Sequence, residues 1–419
     1  MKHLELHIIQ SVPVACLNRD DLNSPKTAIF GGVQRARVSS QAWKNPIREM
    51  AKELDSDIFK GKRSRRMVYE LTAKLTKKGI EKDIALIIAE QVANIVETLD
   101  SKLDADGYKK IKTMMFFSDA EYAAIVNAVT SDIRSLADKV KNDTIAVDRA
   151  KESLKSISDE KEQEVAKKQI ENLEKTLEKD KKALEKAFGD KSIKEAIKSV
   201  QLKDAADIAL FGRMVANDHS LTVEAAAMFS HALSTHKVDN EIDFFAAVDE
   251  LQPKEESGAG MTGTLEFNSA TYYRFAALNL DMLADESHLK SMTPDERKSV
   301  VDTFLRATIN AIPSARKNTM NSNTTPIYVL GVVRGKGHPI QLVNAFENPI
   351  KSSSNGYGVE SVIKMNEEYN DLSTTWGINA LFAKAVVKST IKDKVTDKLR
   401  SIETCDLDEL IKGMVAHVI

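Results

Sequence analysis

The chain has 419 residues and a formal charge of −2, with 42% hydrophobic and 6% aromatic residues. This length predicts two or three structural units with a substantial core, and the low aromatic share argues against a carbohydrate-binding cleft. The near-neutral total excludes no class of partner, because cations can be sorted onto one face. The two cysteines have no neighbouring Cys or His ligands and indicate a reducing compartment without a disulfide framework. No apolar run reaches the roughly 18 residues of a membrane span, so we expect a soluble, cytoplasmic protein without a membrane partner.

The first 60 residues predict a strand, a long loop and a helix. Residues 3–11 alternate between apolar and polar side chains, which is typical of a half-buried strand. A loop extends to Gly31-Gly32, and one of Ser39-Ser40 could cap the helix that follows. Pro46 interrupts the helical pattern, so either Asn45 caps a later start or the helix is kinked at the proline.

The segment from Leu22 to Arg48 contains no carboxylate. Its cations are Lys26, Arg35, Arg37, Lys44 and Arg48, and among them stand the small or donor residues Gly31, Gly32, Ser39, Ser40 and Gln41. Positive charge attracts phosphate, and closely approaching N–H and O–H donors position it. The segment therefore predicts a phosphate-binding surface; the alternative is a basic surface loop without a partner.

The middle of the chain, from about residue 64 to 200, has helical periodicity. Between 140 and 200 it is dense in Lys and Glu, and its apolar residues follow a heptad seam: Ile170, Leu173, Leu177, Leu184 and Ala187, with Asp180 as the polar exception. This pattern predicts a helical hairpin that turns near Ser156–Asp159. Its charges are typical of a solvated face rather than of a binding site.

Mixed structure is expected after about residue 205. The segment Gln252–Gly260 is rich in breakers and predicts a loop between two strands. The second of these strands is expected over Leu265–Phe275. The pattern of Arg297–Ile312 predicts a helix that ends at Pro313.

A second region without acid extends from Thr303 to Phe346. Its cations are Arg306, Arg316, Lys317, Arg334 and Lys336, and they surround a donor-rich loop at 318–325. Two strand-like pieces, Ile327–Val333 and Ile340–Val343, complete the region. If the two acid-free regions converge in space, they form a groove that follows a sugar–phosphate backbone, with affinity falling as salt rises.

Enzyme motifs are incomplete. The Gly331–Gly337 segment has the wrong spacing for a phosphate loop, and none of the eight histidines belongs to a metal-binding pattern. Asp20 and Asp21 could bind a metal or act as a base, but turn hydrogen bonds or a pair with Arg19 suit their loop at least as well. We therefore expect no catalytic activity, no cofactor and no bound metal.

Short segments match one family pattern in the same order along most of the chain: Cys16–Asp21, Ala28–Gly32, Arg37–Gln41, Asp207–Met214, Thr235–Asp239, Asp243–Phe245, Gly263–Phe267, Tyr273-Arg274 and Asn344–Glu347. They resemble the backbone subunit of the type I-E CRISPR Cascade complex, the CasC family of the RAMP superfamily. The resemblance implies an antiviral ribonucleoprotein whose partners are a crRNA guide, target DNA paired through that guide, and further copies of the chain stacked head to tail. The other Cascade subunits (large, small and the two end-binding ones) are implied as well.

The fold implied by the resemblance is α+β: an RRM-like (ferredoxin-like) palm, a large helical fingers insertion and a β-hairpin thumb. The palm would comprise 1–60, 200–248 and 264–419. The fingers would be 61–199, with the Lys/Glu-rich hairpin at about 140–195, and the thumb loop would be 249–263.

The resemblance also assigns roles. It implies guide contacts for Arg19, Lys26, Lys44 and Arg48, with Ser39, Ser40 and Gln41 donating to the same backbone. It further implies that Met214 wedges against a displaced base and that the thumb residue Met261 helps to kink the guide–target duplex, a task that suits an apolar wedge. With the charge pattern, the predicted RNA-binding set is Arg19, Lys26, Gly31, Gly32, Arg35, Arg37, Ser39, Ser40, Gln41, Lys44, Arg48, Arg316 and Lys317.

Three features depart from the family pattern. Asn45 and Pro46 stand in the helix where basic and small residues are expected, Gln34 replaces a basic residue, and the 140–200 hairpin is longer than expected. Two alternatives to a non-catalytic scaffold remain. One is a type III-like subunit that cleaves target RNA with Asp20 or Asp21, and the other is an adaptor that acts through the charged hairpin.

Overall fold

The computed structural model describes residues 1–215, 219–247, 261–313, 315–316, 318–400 and 402–419, with the backbone alone at 190–192. The chain divides into two compact units. Unit 1 comprises Met1–Phe59 and Ala226–Ile419, and unit 2 comprises Lys60–Ala225.

The strands of the described residues are β1 His3–Ala15, β2 Thr27–Phe30, β3 Val33–Val38, β4 Lys62–Ser64, β5 Leu99–Leu103, β6 Lys109–Ile111, β7 Met115–Phe117, β8 Ala227–Phe229, β9 Ala232–Ser234, β10 Glu241–Ala247, β11 Met261–Asn279, β12 Tyr328–Arg334, β13 Phe382–Val387 and β14 Glu403–Thr404. The α-helices are α1 Ser40–Leu54, α2 Met67–Lys77, α3 Lys82–Val96, α4 Asp119–Asn127, α5 Ser131–Lys155, α6 Glu160–Phe188, α7 Asp190–Ser199, α8 Ala206–Phe211, α9 Leu280–Leu283, α10 Pro294–Asn310, α11 Gly356–Thr374, α12 Ser389–Val395 and α13 Leu407–Val415. Short 3₁₀ turns lie at His219–Leu221, Val343–Phe346 and Thr396–Lys398. The fold is therefore α+β, as predicted. No described helix is both long and apolar enough to cross a membrane.

Unit 1 is built on one large sheet with the strand order β14-β13-β12-β1-β11-β9-β3-β2, from which β8 and β10 branch by pairing with β11. The central strand β1 pairs antiparallel with β11 and with β12, so that His3 lies opposite Asn279 on one side and Arg334 on the other. Helices cover both faces. Helices α1, α10 and α13 lie on one, and α11 packs on the other against the core that contains Tyr273 and Tyr328.

Because both faces of the sheet are covered, β1 is buried on both sides, and the expectation of a half-buried strand was wrong. His3, Glu5 and His7 are completely buried. The Glu5 carboxylate is bound by His3 Nε2 at 3.1 Å, His7 Nε2 at 3.3 Å, the Arg334 Nε at 3.2 Å and the Ile340 N–H at 3.0 Å. Burial alone would raise the pKa of Glu5, but the histidine hydrogen bonds and the charges of His7 and Arg334 lower it well below its usual range.

Helix α1 runs without a break from Ser40 to Leu54 and carries Pro46 within it. Neither Asn45 nor Pro46 starts a second helix. Trp43 and Ile47 on the buried face of α1 pack toward the sheet, where the Arg274 guanidinium lies 3.9 Å from the centre of the Trp43 ring. The sheet therefore fixes the orientation of α1, whose opposite face is exposed.

Unit 2 is mainly helical, with a core drawn from α2, α3, α4 and the hairpin of α5 and α6. The hairpin turns between Lys155 and Glu160, as the heptad pattern predicted, and Asp159 caps α6 by accepting from Lys161 N at 2.9 Å and Glu162 N at 3.0 Å. Glu→Lys pairs four residues apart repeat along the exposed face of α6 at Glu164, Glu171 and Glu178. These pairs fit the expected solvated face.

Two segments differ from their sequence expectations, and a third cannot be compared with its expectation. Residues 200–225, expected with the palm, lie in unit 2, where Asp207 Oδ1 accepts from Gly61 N at 3.1 Å. Ile340–Val343 forms no strand, since Ile340 N and Leu342 N donate to the side chains of Glu5 and Tyr273 instead of to a neighbouring strand. The predicted thumb loop 249–263 falls outside the described residues except for 261–263.

Candidate nucleic-acid interface

The Gly31-Gly32 pair forms a two-residue turn between β2 and β3, in which Phe30 pairs with Val33. Both glycines have positive φ, +59° and +76°, as the tight hairpin turn requires. A Cβ at Gly31 would lie 1.7 Å from the carbonyl oxygen of Glu347, whereas a Cβ at Gly32 would meet no described atom within 4 Å. Gly31 therefore has a structural role of its own, because only a residue without a Cβ lets the backbone at Glu347 pack against the hairpin.

The loop before this hairpin is tied to β3 and to the start of α1. Lys26 N donates to Asn18 O at 2.9 Å, and Lys26 O accepts from Arg37 N at 2.8 Å. Asn18 Oδ1 accepts from Ser39 N at 3.0 Å. These bonds bring the loop residues Arg19 and Lys26 next to Arg37 and to the first turn of α1. Asn18 was not singled out from the sequence, although it stands inside one of the matched motifs.

The first turn of α1 presents Ser40 and Gln41 without a carboxylate among its residues. Ser39, at the cap position, is buried, and its side chain makes no capping bond to a described residue. The exposed N–H groups of a helix start favour an anion, and the helix dipole adds to the effect. Lys44, one turn further on, is partly exposed, and its Nζ lies 5.6 Å from the Phe229 ring.

Two of the predicted phosphate contacts are interior residues, which corrects their assignment. Arg35 is completely buried, and its guanidinium donates to the carbonyl oxygens of Phe346 at 2.7 Å, Ser234 at 3.0 Å and Phe30 at 3.2 Å. Burial lowers its pKa. Arg48 lies on the buried side of α1 with 8% of its surface exposed. Of the five cations in the fully described segment 22–48, Lys26, Arg37 and Lys44 remain at the surface.

Gln34, which stands where a basic residue was expected, also has a structural position. Its Nε2 donates to Val238 O at 3.2 Å, and its carbonyl oxygen accepts from Val238 N at 3.1 Å. The side chain thus joins β3 to the 235–240 segment. The basic residue expected at this position is replaced by a side chain that links β3 to the segment between β9 and β10.

The two acid-free regions meet at Arg316. Its Nη2 donates to Asn23 O and its Nη1 to Glu266 O, both at 3.2 Å, so one guanidinium joins the 16–27 loop to β11. Ala315 N also approaches Cys16 O at 3.3 Å. Lys317 lies outside the described residues. The predicted convergence is therefore present, but only for the part of the second region around 315–323.

The remaining cations of the second region lie elsewhere. Arg334 is buried against Glu5, and Arg306 is paired with Asp302 and Asp408. Lys336 is exposed beyond the end of β12 that pairs with the start of β1, at the opposite end of the sheet from the 16–27 loop. β1 spans about 40 Å at 3.3 Å per residue, so Lys336 does not belong to the same surface.

A groove of about 910 Å³ continues from this surface between the exposed face of α1 and the 310–323 segment. Arg316 stands in its wall, and the other polar side chains that line it include Asn45, Asn310, Asn318, Asn323, Glu49 and Glu53. Amide groups both donate and accept hydrogen bonds, so they suit sugars and base edges better than they suit phosphate. The donor-rich loop at 318–325 predicted part of this lining; Asn310 was missed because it lies in the preceding helix.

A β-ribbon extends from the sheet where β10 pairs with the first half of β11 and Ala247 lies opposite Met261. Ile242, Phe244 and Met261 are 70%, 66% and 61% exposed. Residues 248–260, which contain the rest of the predicted thumb loop, lie outside the described residues. In unit 2, Met214 is 76% exposed. Both predicted wedge residues are therefore apolar side chains in contact with solvent.

Asp20 is engaged within its own loop. Its Oδ1 accepts from Leu22 N and from Ser24 N, both at 2.9 Å. This is the turn-forming geometry that the sequence left open for Asp20. Among the described residues no group of three or more His, Cys, Asp or Glu side chains could hold a metal ion.

The comparisons with known proteins agree with the motifs. The profile of the CT1975-like protein family matches residues 4–413. The chain is 27% identical to a chain of a solved structure described as "CRISPR RNA-guided surveillance complex, pre-nicking", with a TM-score of 0.74 and 100% coverage of both chains. It shares its fold with a chain of a second "CRISPR RNA-guided surveillance complex", at 23% identity, a TM-score of 0.64 and 99% coverage of both chains. No curated protein matches. The chain therefore belongs to the CT1975-like family, and its resemblance to the CasC-type backbone subunit of Cascade is confirmed.

Proposed function

We propose that this chain is a non-catalytic backbone subunit of a type I-E Cascade surveillance complex. It binds the phosphate backbone of a crRNA guide and presents the bases for pairing with target DNA. Copies stack head to tail along the guide, together with the large, small and end-binding subunits of the complex. The observation that carries the proposal is the bridge of Arg316, which joins two cationic, carboxylate-free segments into one surface.

The fold supports the finer assignment of a hand. The order β12-β1-β11-β9, with α1 and α10 on one face, supports the assignment of an RRM-like palm. The β10–β11 ribbon is the stem of the thumb, and unit 2 is the fingers. On this assignment the exposed or partly exposed cations Arg19, Lys26, Arg37 and Lys44 hold phosphates, and the groove with its asparagine amides receives the sugars or bases beside them.

Sequence is read by base pairing in such complexes, while the protein holds the strands. A surface of cations, N–H groups and amides supports that division of labour, because it can hold any guide sequence. The exposed Met261 and Met214 then act as wedges that separate neighbouring bases without requiring a particular base. The turn bonds of Asp20 support a structural role for this residue rather than a catalytic one, because its Oδ1 holds the loop backbone at Leu22 and Ser24.

Co-expression with a guide RNA tests the proposal. We expect the purified particle to contain several copies of the chain, with the number of copies rising in proportion to guide length. Incubation with complementary RNA and a divalent metal should leave that RNA intact. A particle with a fixed copy number contradicts the filament, and regularly spaced cuts that are abolished by Asp20→Ala contradict the non-catalytic assignment.

A further inference from the structure

Met214 is an exposed apolar side chain between two buried neighbours. It is 76% exposed, whereas Arg213 is 6% and Val215 0% exposed. An exposed methionine on a mobile loop would fold back onto the nearest apolar surface, so the anchoring of its neighbours determines whether it can act as a wedge. The contacts of Arg213 therefore determine how firmly the backbone beside Met214 is held.

Arg213 is held by its guanidinium. Its Nη1 donates to Glu121 Oε1 at 2.6 Å and to Phe116 O at 3.2 Å, and its Nε donates to Leu221 O at 3.0 Å. The guanidinium carbon lies 5.0 Å from the centre of the Phe117 ring. These contacts join the 213 segment to β7, to α4 and to the turn at 219–221.

The backbone of the same segment is also fixed. Arg213 and Val223 exchange two N–H···O bonds of 2.8 Å, and Val215 N donates to Thr222 Oγ1 at 3.3 Å. Gly212 has a φ of +78°, and a Cβ there would lie 3.0 Å from Val223 O. The backbone before Met214 thus needs glycine, and the residues on either side of Met214 are held by Val223 and Thr222.

The two carboxylate oxygens of Glu121 accept hydrogen bonds from different parts of unit 2. Its Oε2 accepts from Ser118 N at 2.8 Å in the capping box of α4, while its Oε1 accepts from Arg213. Glu121 is 1% exposed. Its carboxylate therefore links the capped start of α4 directly to Arg213, the residue before Met214.

We propose that Glu121 is a positioning residue for the wedge: through Arg213 it fixes the direction in which Met214 projects from unit 2. The proposal rests on the proposed function, in which Met214 stands against a displaced base of the guide. It adds that a buried ion pair sets where that base is displaced.

Fluorescence of assembled complexes tests the proposal, with 2-aminopurine placed at successive guide positions. In the wild type, the emission should be high at the regularly displaced bases and low at stacked ones. Met214→Ala should reduce the emission at the displaced positions to the level seen at the stacked positions. Met114→Ala, a matched change at another exposed methionine of unit 2, should leave the pattern unchanged.

Glu121→Gln should lower the signal at the displaced positions while subunit number and guide length stay unchanged. A pattern equal to wild type in an assembled Glu121→Gln complex overturns the positioning role and leaves that of Met214 intact. A pattern equal to wild type in Met214→Ala overturns both. If Glu121→Gln does not fold, Glu121→Leu with Arg213→Met removes both charges and leaves no buried charge alone. A wild-type pattern in that double variant likewise overturns the positioning role.

Discussion

The salt dependence of RNA binding separates the surface cations from the buried ones. Each phosphate contact to a single strand contributes about −0.7 to the slope of log K against log salt. Arg19, Lys26, Arg37 and Lys44 are exposed or partly exposed, so the four together predict a slope of about −2.8 per subunit. Arg19→Ala with Lys44→Ala removes two of these contacts and should reduce the slope to about −1.4.

The measurement is a series of RNA-binding titrations at increasing salt, on an RNA short enough to hold one copy of the chain. Lys336→Ala is the matched control, because Lys336 is an exposed cation of the second acid-free region at the opposite end of the sheet. Its slope should equal that of the wild type. An unchanged slope in the double variant, or an equal reduction in Lys336→Ala, would refute the assignment of these four cations.

Three further predictions concern stability. In urea titrations Gly31→Ala should lower the free energy of unfolding by more than about 2 kcal/mol, because the positive φ and the Glu347 carbonyl oxygen both oppose a Cβ. The control Gly32→Ala should lower it by about 1 kcal/mol, because only the positive φ opposes a Cβ there. Equal losses in the two variants would contradict the close contact with Glu347. Glu5→Gln should cost about 3–5 kcal/mol, since it leaves Arg334 buried without its partner. Because the pKa of Glu5 is lowered on folding, its contribution to the free energy of unfolding is complete above its unfolded pKa and is lost as the pH falls. A decrease of less than about 1 kcal/mol in Glu5→Gln at neutral pH would contradict this role. Burial and the facing Asp180 raise the pKa of Asp143 in the hairpin seam, so the ionised Asp143 destabilises the folded state at pH 7. Asp180→Leu should therefore raise the melting temperature at pH 7. The gain should shrink in acid, where Asp143 is protonated.

The parts of the fold that depend on local pattern could be predicted. The heptad seam located the turn of the α5–α6 hairpin, because the residues that pack together are close in sequence. β1 was misjudged because its polar face is covered by other elements and paired in the interior, where Glu5 meets the guanidinium of Arg334, 329 positions away. A period of two cannot distinguish a solvated polar face from a buried and paired one. The same carboxylate takes the N–H of Ile340 that a strand would have used.

The candidate site was predicted in outline but not residue by residue. The absence of carboxylates located both segments, and Arg316 joins them. The pattern could not show which cations point inward, because this depends on tertiary contacts. Arg35 is turned toward carbonyl oxygens of the 234 and 346 segments, which are far away in sequence, and Arg48 is buried on α1.

The absence of acid over 22–48 therefore has two physical causes. At the surface, in the proposed function, a carboxylate would repel the phosphate strand that Lys26, Arg37 and Lys44 would attract. In the interior, the Arg35 guanidinium donates hydrogen bonds to carbonyl oxygens from three segments. A carboxylate beside it would lose its hydration and would compete for the space that those carbonyl groups occupy. A count of cations in an acid-free run consequently overestimates the number of phosphate contacts. The salt slope measures the difference, because only the surface cations release counterions when RNA binds.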